Sequence, residues 1–153
     1  MRRQYLLLVT IVFLLAALGC ATVPKPTTFS NSQVYQDDFD AVWTAVIEAF
    51  ADNSWSIDNI EKASGLITTD WMRATNRSPV LADCGKDIVG EPSEGVLGEI
   101  LLRFNVFVKS TAAGHAMRVT CTFKTVKDDS GCLSKGVVEA RLMDTVSAIL
   151  HSE

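Results

Sequence analysis

The hydrophobic positions of this chain fall into blocks of different period, and each period predicts an element. Phe39, Val42, Trp43, Val46, Ile47 and Phe50 recur at i, i+3 and i+4, so residues 37–52 form a helix with one apolar face. Asp37 is placed to cap it, and Asp38 and Asp40 suit the positive end of its dipole. "SWSIDNI" and "LITTDWM" are short strand-like runs joined by "EKASG", a hairpin in which Gly65 can take positive φ. The clearest strand is "EILLRFNVFVKS". Ile100, Leu102, Phe104, Val106 and Val108 share one side; Glu99, Arg103, Asn105 and Lys109 share the other with Leu101 and Phe107. "TAAGH" turns the chain and "AMRVTCTFKTV" returns it as a second hairpin. Ser134 is placed to cap a closing helix, on which Val138, Leu142, Val146 and Ile149 make a stripe flanked by Thr145 and Leu150. Gly136 weakens its first turn. Residues 32–35 add a short first strand.

The resulting order is (β)αββββα. Two helices bracketing two hairpins imply an α+β fold: a four- to five-stranded antiparallel sheet with both helices on one face. Nothing in the chain repeats, so residues 34–153 read as a single α+β domain. Residues 73–98 have no period and carry Pro79, Gly85, Gly90, Pro92, Gly95 and Gly98. An irregular stretch of about 25 residues is either a functional loop or a disordered one.

The N-terminus is different in kind. Residues 5–18 are apolar except for Thr10 and follow a basic start, Met1-Arg2-Arg3-Gln4. About 14 apolar residues after a basic start make a secretory signal, and the run is short for a span of about 20. The other reading is an uncleaved N-terminal anchor. The stretch "ALGC" resembles a bacterial lipobox, with Gly19 and Cys20 in place and the aliphatic and small residues before them exchanged. That resemblance implies a signal peptide over 1–19, diacylglycerol on the Cys20 thiol, cleavage after Gly19 and N-acylation of Cys20 (palmitate among the acyl chains). Ala21, where Asp would favour the inner membrane, implies the outer one. Residues 20–33 are rich in Pro, Thr and Ser and read as a flexible tether that could reach about 40 Å. Without Arg2 and Arg3, basic residues fall from 14 to 12 against 18 acidic ones, a net charge of −6. That balance disfavours nucleic acid as a partner.

Three cysteines remain. Cys121 alternates with Met117, Val119 and Phe123 and reads as a small buried hydrophobe. Cys84 and Cys132 lie in loop-like "LADCGKD" and "DDSGCLS", so a Cys84–Cys132 disulfide is the expected pairing in an oxidising compartment. A zinc site is disfavoured, because no pair has C-x-x-C spacing and neither histidine is near a cysteine in sequence.

Residues 34–71 resemble the domain of BamC-type outer-membrane lipoproteins. Trp43 sits in the helix, Ile57 and Ile60 in the strand, Glu61 and Gly65 in an acidic-x-x-x-Gly turn, and residues 67–69 beyond it. The resemblance implies a helix-grip-like fold and an accessory role in assembling β-barrel outer-membrane proteins. That family has two such domains after a long partner-binding segment. This chain has one after a short tether, so no partner contact is carried over to a residue here.

No residue set points to catalysis. His115 falls in a hairpin turn and His151 at a helix end, neither with a matching acid or nucleophile. Asp128-Asp129-Ser130-Gly131 lacks the ligand spacing of a calcium loop, and "GKDIVGEPSEG" lacks the phosphate-loop pattern. No metal and no cofactor are expected. Trp43 and Trp55 read as core. Trp71, Met72, Arg73, Leu101 and Phe107 are the candidate partner-binding residues, an apolar patch if helices cover one side of the sheet only. The competing reading folds the 73–98 loop over them. The chain therefore reads as a non-enzymatic envelope protein–protein interaction module, lipid-anchored in the outer membrane and facing the periplasm. The alternative is a carrier that holds a lipid or small apolar ligand between helix and sheet.

Overall fold

The structure is a computed structural model that describes residues 23–74, 78–85, 99–126 and 129–152. The expected signal at 1–19, the acylated Cys20, and residues 75–77 and 86–98 of the long loop lie outside the described residues. The element order is β1 (Ser32–Tyr35), α1 (Phe39–Asp52), β2 (Ile57–Glu61), β3 (Leu66–Thr69), β4 (Met72–Ala74), α2 (Ser78–Leu81), β5 (Ala82–Asp83), β6 (Ile100–Thr111), β7 (Gly114–Thr125), β8 (Gly131–Ser134) and α3 (Val137–Leu150).

Strands β6 and β7 form the spine, 12 residues each and paired from Ile100–Thr125 to Thr111–Gly114. The other strands add to either side in the order β2-β3-β6-β7-β8-β5, with β1 on β7 and β4 on β6. Among the described residues the fold is thus α+β, with two long helices, a one-turn helix and an antiparallel eight-stranded sheet. The sheet exceeds the four to five strands expected. The additional strands β4, β5 and β8 have 3, 2 and 4 residues, too few to display a period of two. "DDSGCLS" and part of the long loop are therefore strand as well as loop.

Alternation on the spine decides where the core lies. Ile100, Leu102, Phe104, Val106 and Val108 of β6 and Met117, Val119, Cys121 and Phe123 of β7 are all buried on one side of the sheet. Val42, Trp43, Val46 and Phe50 of α1 and Val138, Leu142 and Val146 of α3 join them in one cluster. Phe50 meets Phe104 edge-on at 5.3 Å, and Trp55 lies 4.6 Å from Phe104, so aromatic rings lock α1 and its following turn onto β6. Tyr35 donates its buried hydroxyl to the Met143 carbonyl at 3.2 Å, which ties β1 to α3.

Both helix starts differ from expectation. Helix α1 begins one residue later, with Asp38 at the N-cap and no side-chain capping bond. Ser134 closes β8 instead of capping α3; Gly136 holds the cap position at φ 80°, which lets the chain reverse from strand to helix. Ser134 still serves the junction. Its hydroxyl accepts the Gly136 N–H at 3.0 Å and donates to Glu139 at 2.9 Å.

The tether is shorter than its composition suggests. Strand β1 begins at Ser32, and residues 25–31 before it touch the domain at three points. The Lys25 N–H donates to Asp83 Oδ2 at 3.0 Å, the Phe29 ring lies over Gly136, and the Val119 N–H donates to the Asn31 carbonyl at 2.8 Å.

A candidate docking face on the side of the sheet opposite the helices

With α1 and α3 on one side, the odd-numbered residues of β6 and even-numbered residues of β7 point to the other. Register then fixes their neighbours. Leu101 lies between Arg73 and Lys124, Arg103 faces Thr122, Asn105 lies between Thr68 and Thr120, Phe107 lies between Leu66 and Arg118, and Lys109 faces Ala116. Met72 pairs with Leu102, so the preceding Trp71 comes beside Arg103. The indole sits against two cations: Arg103 Cζ is 5.1 Å and Lys124 Nζ 4.4 Å from the ring centroid. Each such contact contributes about 0.5–1 kcal/mol at a partly exposed site. Arg73 pairs with Glu99, and Lys124 with Asp129. Arg103 Nε is buried and has no hydrogen-bond acceptor among the described residues.

Four of the five partner-binding residues expected from sequence belong to this face. Trp71, Arg73 and Leu101 cluster at one end. Phe107 lies six residues further along β6, roughly 20 Å away. Met72 does not belong. Its register opposite Leu102 turns it to the helix side, where it packs half-buried against the core. Sequence reasoning also missed Lys124 and Arg118 as part of this surface. Alternation in "AMRVTCTFKTV" puts both on the polar side of β7, but only the register shows that they adjoin Leu101 and Phe107.

The side opposite the helices carries Arg73, Arg103, Lys109, Arg118 and Lys124, with Glu99 and Asp129 paired to Arg73 and Lys124 and Glu61 opposite Leu66. On the helix side, α1 and its approach carry Asp37, Asp38, Asp40, Glu48 and Asp52, and no Lys or Arg occurs between Lys25 and Lys62.

Cys84 and Cys132 are joined by a disulfide that spans 48 residues and ties β5 to β8. Cys121 is a buried free thiol. Burial pushes its pKa far up, and the neighbouring Glu139 carboxyl adds to the shift. Glu139 is itself buried and accepts the Cys121 N–H at 3.2 Å besides the Ser134 hydroxyl. His115 is in β7 instead of a turn, because the strand starts at Gly114; its Nδ1 lies 3.1 Å from Ser110 Oγ and its ring meets Phe39 edge-on. His151 ends α3. Among the described residues no three His, Cys, Asp or Glu side chains converge as metal ligands. The space between helices and sheet is filled by Phe50, Phe104, Phe123, Met117 and Leu142, each less than 2% exposed.

Among the described residues no helix is long and apolar enough to cross a membrane. No protein-family model matches the chain, and no curated protein matches it in sequence.

Proposed function

We propose that this chain is a non-enzymatic lipoprotein of the outer membrane, held by acyl chains on Cys20 and facing the periplasm. Its domain docks on another envelope protein through the face of the sheet opposite the helices. The observation that carries the docking is the composition of that face: half-buried Leu66, Trp71, Leu101 and Phe107 set among five cations, with both long helices on the far side. Apolar and aromatic side chains beside Arg, free of cover from the described helices, are the usual material of protein interfaces. The disulfide supports an exported, oxidised protein. The helix followed by a hairpin at 34–71 supports the BamC-type resemblance, a helix-grip-like arrangement and an accessory role in β-barrel assembly. The densely filled helix–sheet interface supports contact through a surface over carriage of an apolar ligand inside.

Site-specific photo-crosslinking in the envelope tests this reading. A cross-linker at Phe107 is expected to capture one defined envelope protein, and a cross-linker at exposed Glu48 on α1 is expected not to. Identical capture from both positions, or none from Phe107, would contradict docking through the sheet.

A further inference from the structure

The described residues expose eight large hydrophobic side chains, and five of them gather where the N-terminal segment reaches the β5 edge of the sheet: Val23, Phe29, Val80, Leu133 and Val137. Backbone contacts place them together. The Lys25 N–H, two residues on from Val23, donates to Asp83, which pairs with Leu133. The Lys135 N–H, between Leu133 and Val137, donates to the Leu81 carbonyl beside Val80 at 3.0 Å. Gly136, which precedes Val137, lies under the Phe29 ring. The core does not use these side chains. Around this edge it is met by Leu81, Ala82, Cys132 and Val138, while Val80, Leu133 and Val137 are 53%, 40% and 42% exposed.

Where the chain leads decides what meets this corner. Lys25 is five residues on from Cys20, a reach of at most about 17 Å. Acyl chains on Cys20 would hold the corner at the bilayer surface, at an effective concentration where a few apolar side chains suffice for contact. Charge does not drive that contact. The Asp83 carboxylate faces the Lys25 and Lys135 cations, so the corner carries no strong charge of either sign, and burial of apolar surface supplies the attraction. We propose that the Phe29–Val80–Leu133–Val137 corner dips into the boundary between headgroups and acyl chains of the leaflet that holds Cys20, and so fixes the orientation of the domain. Phe107 and Arg118, on the spine of the sheet, remain for the protein partner. This inference rests on the lipid-anchor reading and adds a second contact at a different edge of the fold.

The test uses the full acylated protein in vesicles of phosphatidylcholine alone, since the contact is apolar and needs no anionic lipid. An environment-sensitive fluorophore is placed on Val137→Cys and, for comparison, on Ile60→Cys; Ile60 is 47% exposed at the opposite, β2 edge of the sheet. Cys121 is buried and stays unlabelled in the native protein. Emission from position 137 is expected to rise about twofold on the vesicles and to be quenched by doxyl groups high on the acyl chains, with emission from position 60 unchanged. Val80→Ser with Leu133→Ser, both at exposed sites, should lower the quenching at 137 about twofold while the acyl chains keep the protein on the vesicles. Equal quenching at both positions, or none at 137, overturns the proposal. So does a rise at 137 without lipid quenching, the outcome expected if a second copy of the chain covers the corner. Mass spectrometry of Cys20 separates the two failures. An unmodified Cys20 overturns the anchor reading and this inference with it, and an acylated chain without quenching specific to position 137 overturns this inference alone.

Discussion

Replacing Cys84 and Cys132 together by Ala tests how the edge of the sheet is held. Strand β5 has 2 residues and pairs with β8 only at Ala82–Ser134 and Asp83–Leu133, so few backbone bonds keep it there. The disulfide closes a loop of 48 residues that contains all of β6 and β7. Loop-closure entropy for a ring of that size corresponds to about 4 kcal/mol at 25 °C. At about 3–5 °C per kcal/mol for a domain of this size, Tm should fall by about 12–20 °C. The loss should also be local before it is global. Once β5 detaches, Asp83 takes with it the bond to Lys25, and residues 25–31 should lose protection along with 82–85. Urea unfolding followed by circular dichroism gives the stability, and native-state hydrogen exchange gives the local effect. A stability loss below about 1 kcal/mol, or unchanged exchange at Lys25, would refute the reasoning that the bridge restrains a long loop and carries the docked N-terminal segment.

Other perturbations should give sharper local readings. Gly65→Ala forces a side chain onto φ 73° and against the Val108 carbonyl, while the Val108 N–H donates to the Gly65 carbonyl at 2.8 Å; a loss of about 2–4 kcal/mol in chemical denaturation is expected. Cys121 should resist alkylation in the native protein and react on unfolding, because burial holds its thiol protonated; mass spectrometry after brief iodoacetamide treatment checks this. The Lys25 and Gly85 N–H groups hold the Asp83 carboxyl below its ordinary value, so the stability it contributes is present above the unfolded value of about 3.9 and is lost as pH falls through the lower folded value. Lys25 exchange, corrected for its intrinsic rate, should therefore rise at the acid end of that window and at neutral pH in Asp83→Asn.

What could be read from the sequence follows from how many residues each feature spans. The 12-residue alternation of β6 and β7 and the apolar stripes of α1 and α3 assign faces without help from the rest of the chain. Strands β5 and β8 owe their existence to pairing and the disulfide, which leave no periodic trace in 2 and 4 residues. The docked N-terminal segment was hidden for another reason. Its bonds use backbone groups of Lys25 and Asn31, and a Pro- and Thr-rich composition conceals backbone pairing. On the candidate face, Leu101 and Phe107 were legible because an apolar residue on a strand's polar side stands out. Met72 was misplaced because β4 is a separate 3-residue strand whose register sends alternate side chains to opposite faces. The gathering of Arg103 and Lys124 around Trp71 could not be read before the register, since the three residues come from separate segments.

The anchor on Cys20 is the claim on which location and docking both depend. Radiolabelled palmitate incorporation, followed with membrane fractionation, tests it in one experiment on the wild type and Cys20→Ser. The account predicts a labelled wild type in the outer-membrane fraction and an unlabelled variant released from it. Label retained in Cys20→Ser, or an unlabelled wild type, would contradict it.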